Sequence, residues 1–319
     1  MDRTHSDILI IGAGMAGLSC ADALTKAGCE VRLLDKGRGP GGRMAARRAE
    51  ILGETVSFDH GAQYFTARDA AFKEVVANWR AAGVVAPWPA AGEDAWVGVP
   101  GMNGPIRAMG IEHDVRWGVR GHTLSRLDRG WFVDAGDDSF TADTVLVAVP
   151  AEQAAEILTN VADELASVAA AVESAPCWAV MVGFEERLPI ESDGLREPQA
   201  RISWAARNSA KPQRTGSETW VLHASPERSR EIIESPKEEA AKILLADFFA
   251  QAGAAPREPA HLVAHRWLYA MPAAVKGDAA RFDAALSLGI AGDYLHSPRV
   301  EGAFLSGRAL AEAVLESGK

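Results

Sequence analysis

The feature that most constrains this chain is Gly12-Ala13-Gly14-Met15-Ala16-Gly17, set between the apolar run Asp7 to Ile11 and a segment of helical character that reaches about Ala27. A run of strand length that leads into G-x-G-x-x-G and then a helix opens a dinucleotide-binding βαβ unit. Gly28 ends the helix, and Val31 to Leu34 forms a second strand that finishes in the acid Asp35. Gly12 permits the tight turn, Gly14 lets a pyrophosphate approach the backbone, and Gly17 lets helix and strand pack closely. The helix N-terminus then faces the phosphates, with Asp35 placed to accept hydrogen bonds from the adenosine ribose.

A chain of 319 residues, 48% hydrophobic, predicts two domains rather than one core. Charged residues at 24% and the lack of a long polar tract exclude wholesale disorder. The net charge of −10, without any run of Lys and Arg, argues against nucleic acid as a partner. Ile8 to Ile11 is too short for a signal peptide and follows the polar stretch Asp2 to Asp7. No later run approaches the roughly 18 apolar residues that cross a bilayer. A soluble, cytoplasmic protein without membrane partners is expected. Cys20, Cys29 and Cys177 are odd in number and widely spaced, which predicts reduced structural thiols and no metal site.

Directly after Asp35 comes Lys36-Gly-Arg-Gly-Pro-Gly-Gly42-Arg43-Met44. Paired glycines let the backbone come close to a ligand, and a guanidinium forms paired bonds to phosphate oxygens. This segment resembles the second FAD signature of the amine-oxidase superfamily, in which such an Arg approaches the FAD pyrophosphate. The other end of the chain agrees: Leu286 to Ala291 reads as a strand, Gly292-Asp293 follows, and Val300-Glu301-Gly302-Ala303 opens a helix running through Leu315. It resembles the C-terminal flavin motif of the same superfamily, where the acid holds the ribityl region and the helix N-terminus faces the flavin's pyrimidine edge, which gains negative charge on reduction. His60, Gly61 and Ala62 are added to the cofactor set by the same resemblance. Non-covalent FAD is therefore expected, since no Cys lies near the C-terminal motif and His296 reads as a loop residue.

Between the ends, Phe72, Val75, Val76 and Trp79 recur at helical spacing in a helix expected from about Asp69 to Ala82. Pro87 to Pro105, rich in proline and glycine, is expected to be an irregular loop or a broken pair of short strands. From Val115 to Val149 short runs separated by Asp128-Arg-Gly130 and Gly136-Asp-Asp138 predict a β-meander of four strands, the first at Val115 to Val119. In the resemblance, the backbone of Val119 meets the adenine and Ala148-Val-Pro150 returns the chain beside the FAD. Helices follow at Glu152 to Leu158 and Ala162 to Val172, then strands near Trp178 to Phe184, Arg201 to Ala206, Trp220 to Ala224 and His261 to Tyr269. Ser235 with Glu238 reads as a capping box, with Pro236 at the first position of a helix lined by Leu244, Leu245, Phe248 and Phe249. The expected fold is α/β with an α+β second domain. It combines a Rossmann-type FAD-binding domain carrying the meander with a mixed-sheet substrate domain, in an architecture like amine oxidase or p-hydroxybenzoate hydroxylase. The FAD-binding domain is expected to be discontinuous, from residues 1–58, 107–150 and 284–319, with residues 59–106 and 151–283 forming the substrate domain.

Four segments narrow the resemblance further: Asp59 to Thr66, Ser203 to Pro212, Ala264 to Ala270 and Val300 to Arg308. Together they resemble the bacterial renalase-like proteins, over essentially the whole chain. That resemblance implies an oxidase of mis-reduced nicotinamide dinucleotides, the 2- and 6-dihydro isomers of NAD(P), with O2 as electron acceptor. Hydride loss from a dihydropyridine leaves an aromatic cation, so no general base is required and none is evident. Gln63, Tyr64, Arg207, Asn208, Trp220, His223, Trp267 and Tyr269 are the expected substrate-binding residues, with Arg207 and Asn208 foremost because they can meet a phosphate or carboxamide at a strand end. Trp178 and Trp204 are read as core or wall residues. Two alternatives stay open: an amine oxidase or desaturase on the same fold, and a non-catalytic FAD-binding regulatory protein. Oligomeric state is left open.

Overall fold

A computed structural model describes residues 5–318; Asp2 to Thr4, part of the polar stretch noted above, lie outside the described residues. The apolar run becomes the central strand His5–Ile11, buried on both faces at its C-terminal half. It pairs in parallel with Val31–Asp35 on one side and Asp138–Val147 on the other. The sheet continues to Asp114–Trp117 at one edge and through Leu288–Ala291 to Ala280–Asp283 at the other. Strands Thr123–Arg126 and Trp131–Ala135 extend Asp138–Val147 antiparallel, so this eight-stranded sheet is mixed.

The expected meander is corrected in its first strand. Asp114–Trp117 pairs parallel with Val31–Asp35 and forms the edge of the dinucleotide-binding sheet, leaving a meander of three strands. Short alternating runs look alike whichever partner they pair with, so only the return path of the chain distinguishes the two.

Helices Met15–Lys26 and Val300–Ser317 cover one face of this sheet. They touch at backbone distance, since a Cβ on Gly307 would collide with the carbonyl of Ala16, and Ser19 Oγ donates to the Phe304 carbonyl at 2.7 Å. The two ends of the sequence thereby form one layer. Ala151–Leu158 and Asp163–Ala170 close the other face over Leu9, Val145, Val147 and Ile290.

A second sheet has the order Gly194–Arg196, Ile202–Arg207, Glu218–Ala224, Ser174–Phe184, His261–Pro272 and pairs antiparallel throughout. Its two faces follow the period of two. Trp178, Val180, Val182 and Phe184 pack under helix Lys237–Ala252 against Leu244, Phe248 and Phe249. Met181 and Val221 point the other way, onto Phe58 of the hairpin Ala46–Ile51/Glu54–Asp59. The capping box is also corrected: Pro236 is extended and occupies the N-cap, and no side chain caps this helix. Ser235 therefore stands one residue too early to reach the free N–H groups.

Asp69 caps helix Ala70–Ala81 by accepting from the Ala71 and Phe72 amides. The proline-rich stretch holds the short strands Val85–Pro87 and Ala95–Gly98, and then helix Gly104–Gly110, which the expected loop did not include. Pro105 stands in its first turn, where a missing N–H costs nothing. No helix among the described residues is long and apolar enough to cross a membrane. Cys20 and Cys177 are buried free thiols, and Cys29 is free and half-buried.

Candidate cofactor and substrate cleft

One cleft of about 1060 Å³ runs from the glycine turn to the second sheet. Pockets for one drug-sized ligand occupy roughly 300 to 1000 Å³, so this cleft lies at the upper end of that range and has room for a large cofactor. At its first end the three glycines divide their work. A Cβ on Gly12 would collide with the Ala148 carbonyl, and one on Gly17 with the carbonyl of Gly12. Gly14 has nothing within 4 Å of such a Cβ and lines the cleft at the N-terminus of a helix that has no side-chain cap. That open, amide-rich surface is what an approaching pyrophosphate requires.

Asp35 closes the strand after it. Its carboxylate accepts from the Ala13 amide at 2.8 Å and the Gly37 amide at 2.7 Å, which orients it while leaving lone pairs for ribose hydroxyls. Burial lifts its pKa, against those two N–H groups. Val119 donates its amide to the Asp35 carbonyl, placing it at the adenosine end of the cleft. Lys36 also lines the cleft but is exposed and donates to Gln153.

Arg43 meets Asp293 in a two-pronged pair at 2.8 and 2.6 Å, joining residues 250 positions apart. Both line the cleft beside Gly42, Met44, Gly61, Ala62, Ala148, Val300 and Ala303, together with Gly12, Gly14, Met15 and Ala16. Five expected cofactor residues support the cleft from behind instead of lining it. The Ala13 amide orients Asp35, and Gly17 fits against Gly12. Glu301 accepts from the Arg68 and Asp69 amides. Gly302 lies where a Cβ would strike the Ser297 carbonyl. His60 is buried, with Nδ1 unpartnered.

The segment from Asp59 to Gln63 is clamped from both sheets. Ala62 donates its amide to the Arg43 carbonyl at 2.8 Å. Trp267 Nε1 donates to the His60 carbonyl at 2.9 Å. The Gln63 amide donates to the carbonyls of Asp59 and Gly61, and lies 3.4 Å from His223 Nε2. Beneath it Asp59, fully buried, is held by the Met102 amide at 2.8 Å, by Lys211 at 3.1 Å and by Arg214 at 2.5 Å. Burial opposes its ionisation, but Lys211 and Arg214 keep its pKa below the ordinary carboxylate range. Lys211 also donates to Gln63 Oε1 at 3.2 Å, and burial brings its pKa down to about 8. Burial brings His60 and His223 each down to about 4, so both rings are neutral near pH 7.

Gln63, Tyr64, His223, Trp267 and Tyr269 line the substrate half of the cleft. Arg207, Asn208 and Trp220 do not, and their expected contact with substrate is corrected. Arg207 is fully buried, paired with Asp193 and with Glu218 at 3.0 Å, and stacked 4.7 Å from the Trp220 ring. Trp220 is enclosed in the core under helix Lys237–Ala252. Asn208 spans Asp59 and Ser57, holding the hairpin end to the second sheet. The reason is parity. In Glu218–Ala224, His223 faces the cleft, so Trp220, three residues away, must face the helix. Trp204 and Ala206 share one face, which sends Ala205 and Arg207 to the other. The same parity places Trp204, read from the sequence as a core or wall residue, on the cleft wall, packed against Tyr64 with ring centroids 5.3 Å apart. Arg68, Arg196 and Cys177 also line the cleft without having been anticipated. Burial pushes the Cys177 thiol up to about 12, which makes it inert.

Comparisons with known proteins agree with this geometry. Residues 10–79 match the NAD(P)-binding Rossmann-like domain, and residues 89–315 match the flavin containing amine oxidoreductase family. A hydroxyneurosporene desaturase of Cereibacter sphaeroides is 54% identical over 37 residues, which span 12% of this chain and 8% of the desaturase. Among solved structures, a protein of Exiguobacterium sp. 255-15 assigned as a protoporphyrinogen oxidase superposes with a TM-score of 0.74 at 14% identity, covering 99% of this chain and 100% of that one. Putrescine oxidase with bound putrescine gives 0.72 at 14% identity, covering 98% and 99%. Cyclohexylamine oxidase from Brevibacterium oxydans IH-35A gives 0.62 at 13%, with the same coverage. These likenesses establish the fold, and the open Gly14 surface, oriented Asp35 and Arg43–Asp293 pair suit the nucleotide of FAD. With its family match extending over more than half its length, the chain belongs to the flavin containing amine oxidoreductases, FAD-dependent oxidoreductases.

Proposed function

We propose that this oxidoreductase oxidises mis-reduced nicotinamide dinucleotides, the 2- and 6-dihydro isomers of NAD(P), with dioxygen as the final acceptor. The observation that carries this reading is the chemistry of the substrate wall. It consists of aromatic faces, Tyr64, Trp204, Trp267 and Tyr269, with a carboxamide, Gln63, and a histidine too weakly basic to take a proton at pH 7. Such a wall suits a donor that loses a hydride without losing a proton. The product pyridinium is a cation, and aromatic faces stabilise a cation. Bound FAD supplies the two-electron acceptor and the route to dioxygen. The balance is one dihydro isomer, one O2 and one proton giving NAD(P)+ and H2O2. The chain's own part is to hold the donor carbon in line and exclude other poses, which the clamped Asp59 to Gln63 segment does by fixing one side of the cleft from both sheets.

In this reading residues 1–58, 107–150 and 284–319 carry the FAD, held non-covalently, and residues 59–106 and 151–283 present the substrate. The test is anaerobic stopped-flow reduction. The 2- and 6-dihydro isomers should bleach the flavin fast, with a rate varying less than about threefold between pH 6 and 9 apart from one step near pH 8, where Lys211 behind Gln63 loses its proton, because hydride loss needs no base and His60 and His223 titrate near 4. Ordinary 4-dihydro NADH should react slowly, since its donor carbon lies elsewhere in the same pose. An amine must first lose a proton with a pKa of about 10, so its rate would climb about tenfold per pH unit. Faster bleaching by putrescine or cyclohexylamine with that slope overturns the proposal in favour of an amine oxidase. No bleaching by any donor leaves a regulatory flavoprotein.

A further inference from the structure

We infer that Arg68, Arg196 and Arg299 form an anion-binding mouth on the cleft that holds the pyrophosphate of the substrate dinucleotide, a role that rests on the dihydronicotinamide reading above. All three line the cleft and are exposed. None has an ion-pair or hydrogen-bond partner for its guanidinium among the described residues. The other cleft arginines are engaged: Arg43 with Asp293, Arg120 with Glu156 at 3.8 Å, and Arg266 with the Ile233 carbonyl. In a chain of net charge −10, three unpaired guanidinium groups at one opening make a local positive field against the overall one.

The fold brings the three to one rim. The Arg68 amide donates to the Glu301 carboxylate at 2.5 Å, which sets it on the first turn of the terminal helix, two positions from Arg299. Thr66 pairs with Ala95, so the chain leading to Arg68 runs beside the segment that follows the turn at Pro89–Ala91. Strand Gly194–Arg196 lies against the same turn, since a Cβ on Gly194 would stand 2.6 Å from the Ala90 carbonyl. Arg196 pairs in register with Trp204, whose ring packs on Tyr64. Arg196 therefore borders the Tyr64–Trp204 wall, in the substrate half, while Arg68 and Arg299 stand at the first turn of the terminal helix, where that half meets the cofactor half, and none of the three belongs to the Gly14 turn that suits the FAD pyrophosphate. Asp94, in the segment beside Thr66, also lines this part of the cleft, and the buried Glu301 carboxylate is already held by the Arg68 and Asp69 amides. Guanidinium groups bind phosphate oxygens through paired, charge-assisted hydrogen bonds, and exposed ones do so without a large desolvation cost.

The experiment uses the FAD-loaded enzyme and compares KM for the 6-dihydro isomers of NAD and of nicotinamide riboside, which lacks the pyrophosphate. Wild-type enzyme should show a KM at least tenfold lower for the dinucleotide, and that advantage should shrink as salt rises from about 20 to 200 mM. In the Arg68→Gln/Arg196→Gln double variant, and more weakly in Arg299→Gln, the ratio should fall toward one, with FAD content preserved. Inorganic pyrophosphate should compete with the dinucleotide in the wild type and at least fivefold less effectively in the double variant. An unchanged KM ratio in the variants overturns the inference while leaving the substrate reading intact. Loss of FAD from them assigns these arginines to the cofactor and equally overturns it. A wild type that oxidises neither isomer fails the substrate reading itself, and the two failures are thus distinguishable.

Discussion

Burial decides the charge state of side chains in and behind the cleft, and that has consequences for stability. His60 and His223 titrate near 4 in the fold against about 6.5 in the unfolded chain. Between those values the unfolded chain binds more protons, so their contribution is complete above about pH 6.5 and is lost as pH falls toward 4. The Tm should fall steadily over that window, and the His60→Gln/His223→Gln variant should show a shallower slope; an identical slope would place the acid lability elsewhere. Asp59 is the complementary case, a carboxylate whose loss strands two buried cations, Lys211 and Arg214. Asp59→Asn should cost about 3 to 5 kcal/mol in urea unfolding. Lys211→Met, which leaves Asp59 paired with Arg214, should cost clearly less.

At the scale of elements, the glycine turn and the terminal helix separate two uses of a missing side chain. Gly17 and Gly302 are sites of close packing, where a Cβ would meet the carbonyls of Gly12 and Ser297. Gly14 has an ordinary backbone for any residue and an empty space before it. Gly17→Ala and Gly302→Val should therefore lower the Tm of the apoprotein by several degrees or abolish soluble yield. Gly14→Ala should leave the apoprotein Tm within about 1 °C of wild type yet reduce FAD retention at least tenfold, because the methyl group occupies the pyrophosphate's path. Equal loss of Tm in all three would remove the distinction.

Across the whole molecule, the sequence ends and the two sheets are tied at a few points that the cofactor site shares. Arg43 and Asp293 join the second motif to the last strand, with the Asp293 side chain almost enclosed. Trp267, Lys211 and Asn208 tie the second sheet to the Asp59 to Gln63 segment. Because one ligand would contact groups brought from all these segments, its binding free energy adds to the stability of the assembled chain. Removing FAD should lower Tm, and Arg43→Ala should lower both FAD content and the apoprotein Tm, since it leaves Asp293 buried without its cation. A variant with reduced FAD content but an unchanged apoprotein Tm would limit Arg43 to the cofactor alone.

The sequence by itself determined the dinucleotide-binding unit, because Gly12, Gly14, Gly17 and Asp35 act within one continuous strand, turn and helix whose geometry follows from local backbone rules. It likewise determined the terminal helix at Val300 and the paired faces of the long strands, since periodicity is a local property. Whether Arg207 and Trp220 face substrate or helix was decided only by tertiary structure. A strand has two equivalent faces, and which one is the cleft depends on where helix Lys237–Ala252 packs. The same holds for Asp114–Trp117, whose partner is chosen by the path of the chain. The Arg68, Arg196 and Arg299 mouth has no signature along the chain, because its members come from three segments that meet only when the terminal helix and the second sheet close around the Tyr64–Trp204 wall.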